Sequence, residues 1–209
     1  MTRFQRIFAI LIATALLFPL VAEGRLTATP PLVTPDPAAL VSDAGLTAAG
    51  AIAVDLTTGI ELYANNADVS LPPASTAKVV TALVAREVLA TDAQLTVQAG
   101  DLLDPTVYSA AGLLEGDILS VRDLLYGLLL PSGGDAALVL ARAGGLVLDP
   151  ATADPVARFV AEMNAFAQAH GMTQSHFSNP VGMDDPGNNY ASARDLVRAT
   201  AALLADQLL

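Results

Sequence analysis

The period of hydrophobic and polar residues changes along this chain. From Ala51 to Leu56 and from Ile60 to Ala64, two strand-length apolar blocks flank Thr57-Thr58-Gly59. Short apolar blocks around a glycine-containing turn predict a β-hairpin. After Pro72 and Pro73 the spacing becomes helical. Val79, Val80, Leu83, Val84 and Val88 share one face at intervals of three and four, which predicts a buried amphipathic helix over residues 75–89 with Ser75 in its first turn. Residues 95–98 read as a short strand, and residues 121–130 as a helix stopped by Pro131. Ser132-Gly133-Gly134 reads as a tight loop and residues 135–143 as a second helix ended by Gly144-Gly145. A third helix is bracketed by Asp154 as N-cap, Pro155 at its first position and Gly171 past its end. Ser192 and Asp195 have capping-box spacing and open a last helix. A hairpin followed by a helical cluster is an α+β pattern, and no internal repeat is visible.

The N-terminal segment is built differently. Arg3 and Arg6 precede an apolar stretch from Ile7 to Ala22, the length of a secretory signal core and short for a membrane span. Cleavage is expected after Ala22 or Gly24, with an uncleaved anchor, and hence membrane association through this segment, as the alternative. Pro30, Pro31, Pro35 and Pro37 then make a Pro/Thr-rich stretch that stays extended. The expected organisation is a signal peptide at 1–24, a tether at 25–44 and one domain at 45–209. The product is expected outside the cytoplasm, in the cell envelope or secreted.

Composition narrows the choice of function. With 53% hydrophobic and 15% charged residues, the chain has enough apolar material for a sizeable core. The formal charge of -11 and nine scattered arginines leave no basic patch, which excludes nucleic acid as a partner. There is no cysteine, so an exported fold must rest on its core rather than on disulfides. No His-rich or Cys-rich spacing suggests a metal, and no cofactor is expected. His170 reads as a helix C-terminal residue, His176 as a loop hydrogen-bonding residue and residues 184–189 as a surface turn. Tyr126 and Tyr190 read as packing residues.

One lysine stands out because it is the only one. Lys78 follows Ser75 by three residues in Ser75-Thr76-Ala77-Lys78. A guanidinium is charged at any workable pH, whereas a desolvated amine can become neutral and accept a proton. Positions i and i+3 of a helix lie on one face, so the amine can reach the hydroxyl and activate it as a nucleophile. Backbone amides free at the helix start, that of Ser75 among them, suit an oxyanion. Against this, a serine near a helix start is most often only a cap.

A second element supports the chemical reading. Leu128-Leu129-Leu130-Pro131-Ser132-Gly133-Gly134-Asp135 places a serine in a glycine loop between two helices, 57 residues after Ser75. Together with Ser75-x-x-Lys78 this resembles the penicillin-recognising serine enzymes. It most resembles the D-alanyl-D-alanine carboxypeptidase family of low-molecular-weight penicillin-binding proteins, peptidase family S11. Glu162-Met163-Asn164, His170-Gly171-Met172, residues 176–183 and Ser192-Ala193-Arg194-Asp195-Leu196 extend the likeness, which runs from about residue 46 to the end. The resemblance implies a β-lactamase/transpeptidase-like fold, a helical cluster packed on an antiparallel sheet. It implies that Ser75 attacks the D-Ala-D-Ala carbonyl of a peptidoglycan stem peptide and forms an acyl-enzyme, with Lys78 as base and Ser132 as proton carrier. β-Lactams would acylate Ser75 as covalent inhibitors.

Two departures accompany the likeness. Gly134 stands where the family carries an asparagine, removing a substrate-binding amide. After Ser132 no basic residue is followed by Thr-Gly or Ser-Gly, so the Lys-Thr-Gly strand is expected beyond residue 209 and the chain reads as the first two thirds of the family's domain. Two alternatives to the carboxypeptidase therefore stand: a non-catalytic peptidoglycan-binding or regulatory relative, and a serine β-lactamase.

Overall fold

The predicted hairpin forms. In a computed structural model, which describes residues 45–209, β1 (Ala51–Asp55) and β2 (Ile60–Asn65) pair antiparallel, with a register shift between Ala53 and Val54. Asp55 closes the turn by accepting from the Thr57 amide and the Thr58 hydroxyl, the local bonding for which Asp is favoured in turns. The readings of a signal and a tether fall on residues 1–44, outside the described residues.

Five helices follow: α1 (Lys78–Val88), α2 (Val121–Leu129), α3 (Gly134–Leu148), α4 (Pro155–Ala169) and α5 (Ala193–Ala205). A second small sheet, β3 (Gln94–Thr96) against β4 (Ile118–Ser120), lies between α1 and α2 in the sequence. α1 is central and packs against all four other helices. Its apolar face is why: Val80, Ala82, Val84 and Ala85 are fully buried, with Leu124, Leu128, Leu140, Phe159 and Met163 in the same core. Burying a side chain of that size contributes about 1.5 to 3 kcal/mol, so the stripe fixes where α1 sits.

Two boundaries and one packing residue differ from those expected. The helix read over residues 75–89 is a 3₁₀ turn, Ala74–Ala77, followed by α1, so Ser75 precedes the α-helix and Lys78 opens it. Gly144 and Gly145 do not end a helix; α3 runs through them to Leu148. They are contact residues instead. A Cβ on Gly145 would lie 1.8 Å from the Pro155 carbonyl oxygen, and one on Gly144 would lie 2.7 Å from the Phe159 ring, so the glycines let α3 and α4 touch. Tyr126 is 49% exposed rather than packed.

α4 has the caps its sequence predicts. Asp154 accepts from the Ala157 amide, Pro155 opens the helix and Gly171 follows it in the left-handed region at φ +68°. At α5 only half of the capping box is present. Ser192 Oγ accepts from the Asp195 amide, but the buried Asp195 carboxylate accepts instead from the Gln174 amide and the Ser175 hydroxyl, tying that loop to the helix.

Candidate active site

The site begins with the 3₁₀ turn. Ala74 is held at φ +47°, a left-handed conformation that residues with a Cβ rarely adopt, and Ser75 follows it. Gly182 presses against this turn: a Cβ there would lie 1.8 Å from the Ala74 carbonyl oxygen and 3.1 Å from the Ser75 nitrogen. Only glycine allows that approach. Ser75 is exposed, and its N–H lies in the first turn, where the helical ladder offers no acceptor.

Lys78 lies beneath it and is 3% exposed. Its Nζ is 3.0 Å from Ser75 Oγ and donates to the Val181 carbonyl at 2.8 Å. Burial moves the amine below its ordinary value of 10.5, and the Asp135 carboxylate opposes that shift as the smaller influence. A neutral amine has one N–H for Val181 and a lone pair for the Ser75 proton, which is the arrangement of a base beside its nucleophile.

Sequence reasoning assigned no role to the turn that holds Val181. Asn179 Oδ1 accepts from the amides of Val181, Gly182 and Met183 at 3.2, 2.8 and 2.9 Å, and its Nδ2 donates to the Met183 carbonyl. From α1, the Thr81 hydroxyl donates to the Pro180 carbonyl at 2.7 Å. Asn164 on α4 exchanges two hydrogen bonds with the Phe177 backbone. Asn179 ahead of a proline and a glycine is the available signal, because Asn bonds its own following backbone in turns.

The second motif sits at the start of α3. Ser132 is at φ +60°, one of three non-glycine residues with positive φ among the described residues. Its hydroxyl is hydrogen-bonded to neither Ser75 nor Lys78. A cavity of about 160 Å³ beside the pair is lined by Tyr108, Ser109, Val181 and Met183 rather than by Ser132. The loop before α2 and the second motif are stitched together nonetheless. Gly134 N–H donates to the Ser109 carbonyl at 2.8 Å, and buried Asp135 accepts from the amides of Ala111, Gly112, Leu113 and Ala136. At Gly134 a Cβ would lie 2.6 Å from Leu103 Cδ1 and 3.1 Å from Val181 Cγ1, so Leu103 occupies the space an asparagine would need.

The other candidates have structural partners. His170 caps α4, stacks on Phe166 and bonds the Phe166 carbonyl through Nδ1. His176 bonds the Asn188 carbonyl and stacks on Tyr190. Among the described residues no group of three or more His, Cys, Asp or Glu could hold a metal ion, and no helix is long and apolar enough to cross a membrane.

Helices packed with antiparallel sheets form a fold shared with solved DD-peptidases. The Streptomyces K15 DD-transpeptidase superposes with a TM-score of 0.70 at 35% identity, over 78% of this chain and 63% of that one. The D-alanyl-D-alanine carboxypeptidase of Mycobacterium tuberculosis H37Rv does so with a TM-score of 0.65 at 34% identity, over 77% and 57%. In sequence, the D-alanyl-D-alanine carboxypeptidase of Streptomyces sp. strain K15 is 35% identical over 97% of this chain, and DacB2 of M. tuberculosis is 40% identical over 74%. The chain spans 66% and 50% of the lengths of those two relatives. Residues 38–209 match the model of peptidase family S11, D-alanyl-D-alanine carboxypeptidase, and the chain belongs to that family.

Proposed function

We propose that this protein is an exported serine-type D-Ala-D-Ala carboxypeptidase that trims peptidoglycan stem peptides. The observation that carries the reading is the buried Lys78 amine 3.0 Å from an exposed Ser75 hydroxyl, with its pKa lowered by burial. In the proposed reaction Ser75 Oγ attacks the carbonyl of the D-Ala-D-Ala bond while Lys78 takes the hydroxyl proton. The Ser75 N–H donates to the oxyanion. The C–N bond then breaks, a proton passes to the leaving amine with Ser132 as its carrier, and D-alanine departs. Water attacks the remaining ester, Lys78 again accepting a proton, and frees Ser75. β-Lactams acylate the same hydroxyl by ring opening.

The test is the mass of the natural full-length protein after exposure to a labelled penicillin. One adduct is expected, lost in Ser75→Ala; an adduct that survives this change rejects the assignment. A second reading, a peptidoglycan-binding relative without turnover, is favoured by Leu103 filling the space beside Gly134. It would be recognised by peptidoglycan retention equal in wild type and Lys78→Ala, with no D-alanine released by either.

A further inference from the structure

The turn over residues 104–109, between β3 and β4, supplies part of the wall of the cavity beside Ser75. Val107 and Tyr108 line that cavity together with Ser75, Lys78 and Met183. The turn is built by its own residues. The Asp104 carbonyl accepts from the Val107 and Tyr108 amides, its carboxylate accepts from the Thr106 amide and hydroxyl, and Pro105 sets the backbone between them. The chain beyond it is tied to the start of α3, because the Ser109 carbonyl takes the Gly134 N–H and buried Asp135 takes the amides of Ala111, Gly112 and Leu113. Val107 and Tyr108 are thus held beside the nucleophile.

The fold makes little use of these two side chains. Val107 is 67% exposed and Tyr108 36%, and neither packs against the hydrophobic core, whereas Leu103, Ala111 and Leu113 of the same loop do. Apolar surface held open by an ordered turn, next to a reactive hydroxyl, fits a ligand contact: its burial against an apolar group of the ligand is favourable and costs little further ordering.

Charge decides which part of a substrate lies there. A D-Ala-D-Ala peptide ends in a carboxylate on its leaving side, while the acyl side beside the scissile carbonyl is uncharged. Between residues 102 and 114 the one charged side chain is Asp104, which the Thr106 hydroxyl and amide hold below the usual carboxylate range and so keep ionised. A terminal carboxylate placed against this turn would meet a like charge and no cation. The acyl side meets no such opposition and gains apolar contact with Val107, Tyr108 and Met183.

We infer that Val107 and Tyr108 are specificity-determining residues that hold the apolar part of the acyl group transferred to Ser75. The inference rests on the acyl-enzyme reading above and names the side of the substrate that the turn selects. The test measures acylation of the natural full-length protein by benzylpenicillin, which carries a phenylacetyl group on its acyl side, and by the aminopenicillanic acid nucleus, which lacks that group. The leaving side is the same in both. In the double variant Val107→Ser with Tyr108→Ser, the ratio of the two acylation rate constants is expected to fall about fivefold below that of the wild type. Dividing by the wild-type ratio cancels the intrinsic reactivities of the two drugs. Both side chains are exposed, and the turn is closed by Asp104 and Thr106, so the fold is retained. A variant that slows both drugs equally, or slows neither, overturns the inference and leaves the Ser75 assignment standing. Failure of both drugs to acylate the wild type overturns the two together.

Discussion

The Lys78 amine is the residue on which the proposed chemistry turns, and its protonation has a direction that can be measured. Its pKa is 10.5 in the unfolded chain and lower in the folded one. Between the two values the folded state binds fewer protons, so stability rises with pH across that window, and below it the cost of keeping a charged buried amine is fully present. The difference in Tm between wild type and Lys78→Met is expected to move in the wild type's favour from pH 7 towards pH 10. Acylation should climb in the same direction, because only the neutral amine accepts a proton. Lys78→Arg keeps the charge and removes the base, and the rate of penicillin labelling is expected to fall at least a hundredfold. Asn179 acts one step back. Asn179→Ala leaves up to three backbone amides without their acceptor and is expected to cost about 2 kcal/mol or more in chemical denaturation.

At the scale of elements, close packing overrode local propensity where the sequence was misread. Gly144-Gly145 looks like a helix stop because glycine is common past helix ends, yet the pair exists to admit Pro155 and Phe159. Gly145→Ala is expected to cost about 3 kcal/mol, seen as a lowered denaturation midpoint, although alanine favours helix locally. By contrast the caps of α4 could be read from Asp154 and Pro155 alone, because a cap is made within four residues. The same distinction holds at the site. Ser75 and Lys78 are three residues apart, so their contact was legible from spacing. The contacts of Lys78 with Val181 and of Gly134 with Ser109 span 103 and 25 positions, and no local pattern encodes them.

Across the whole molecule, two arginines show which ion pairs matter. Arg142 on α3 grips the buried Asp101 through Nε and Nη2 and also reaches the Thr96 carbonyl, joining the β3 region to the core. Arg194 on α5 bridges Glu61 of the hairpin and Asp68, with side chains 32%, 41% and 65% exposed. Arg142→Ala strands a buried carboxylate and is expected to cost about 3 kcal/mol or more, whereas Arg194→Ala should cost much less and matter least in high salt. Urea titrations of the two variants at low and high ionic strength separate these outcomes. With a net charge of -11, the wild type itself should gain stability on adding salt, since screening relieves its self-repulsion.

The left-handed alanine ahead of Ser75 implies a trade between durability and reactivity. Ala74→Gly would relieve about 1 kcal/mol of backbone strain and raise the melting temperature. The same change would let the Ser75 hydroxyl wander from the Lys78 amine, so under the proposed chemistry a hardier variant is expected to be a slower one. Selection for heat resistance alone would tend to erode this position first.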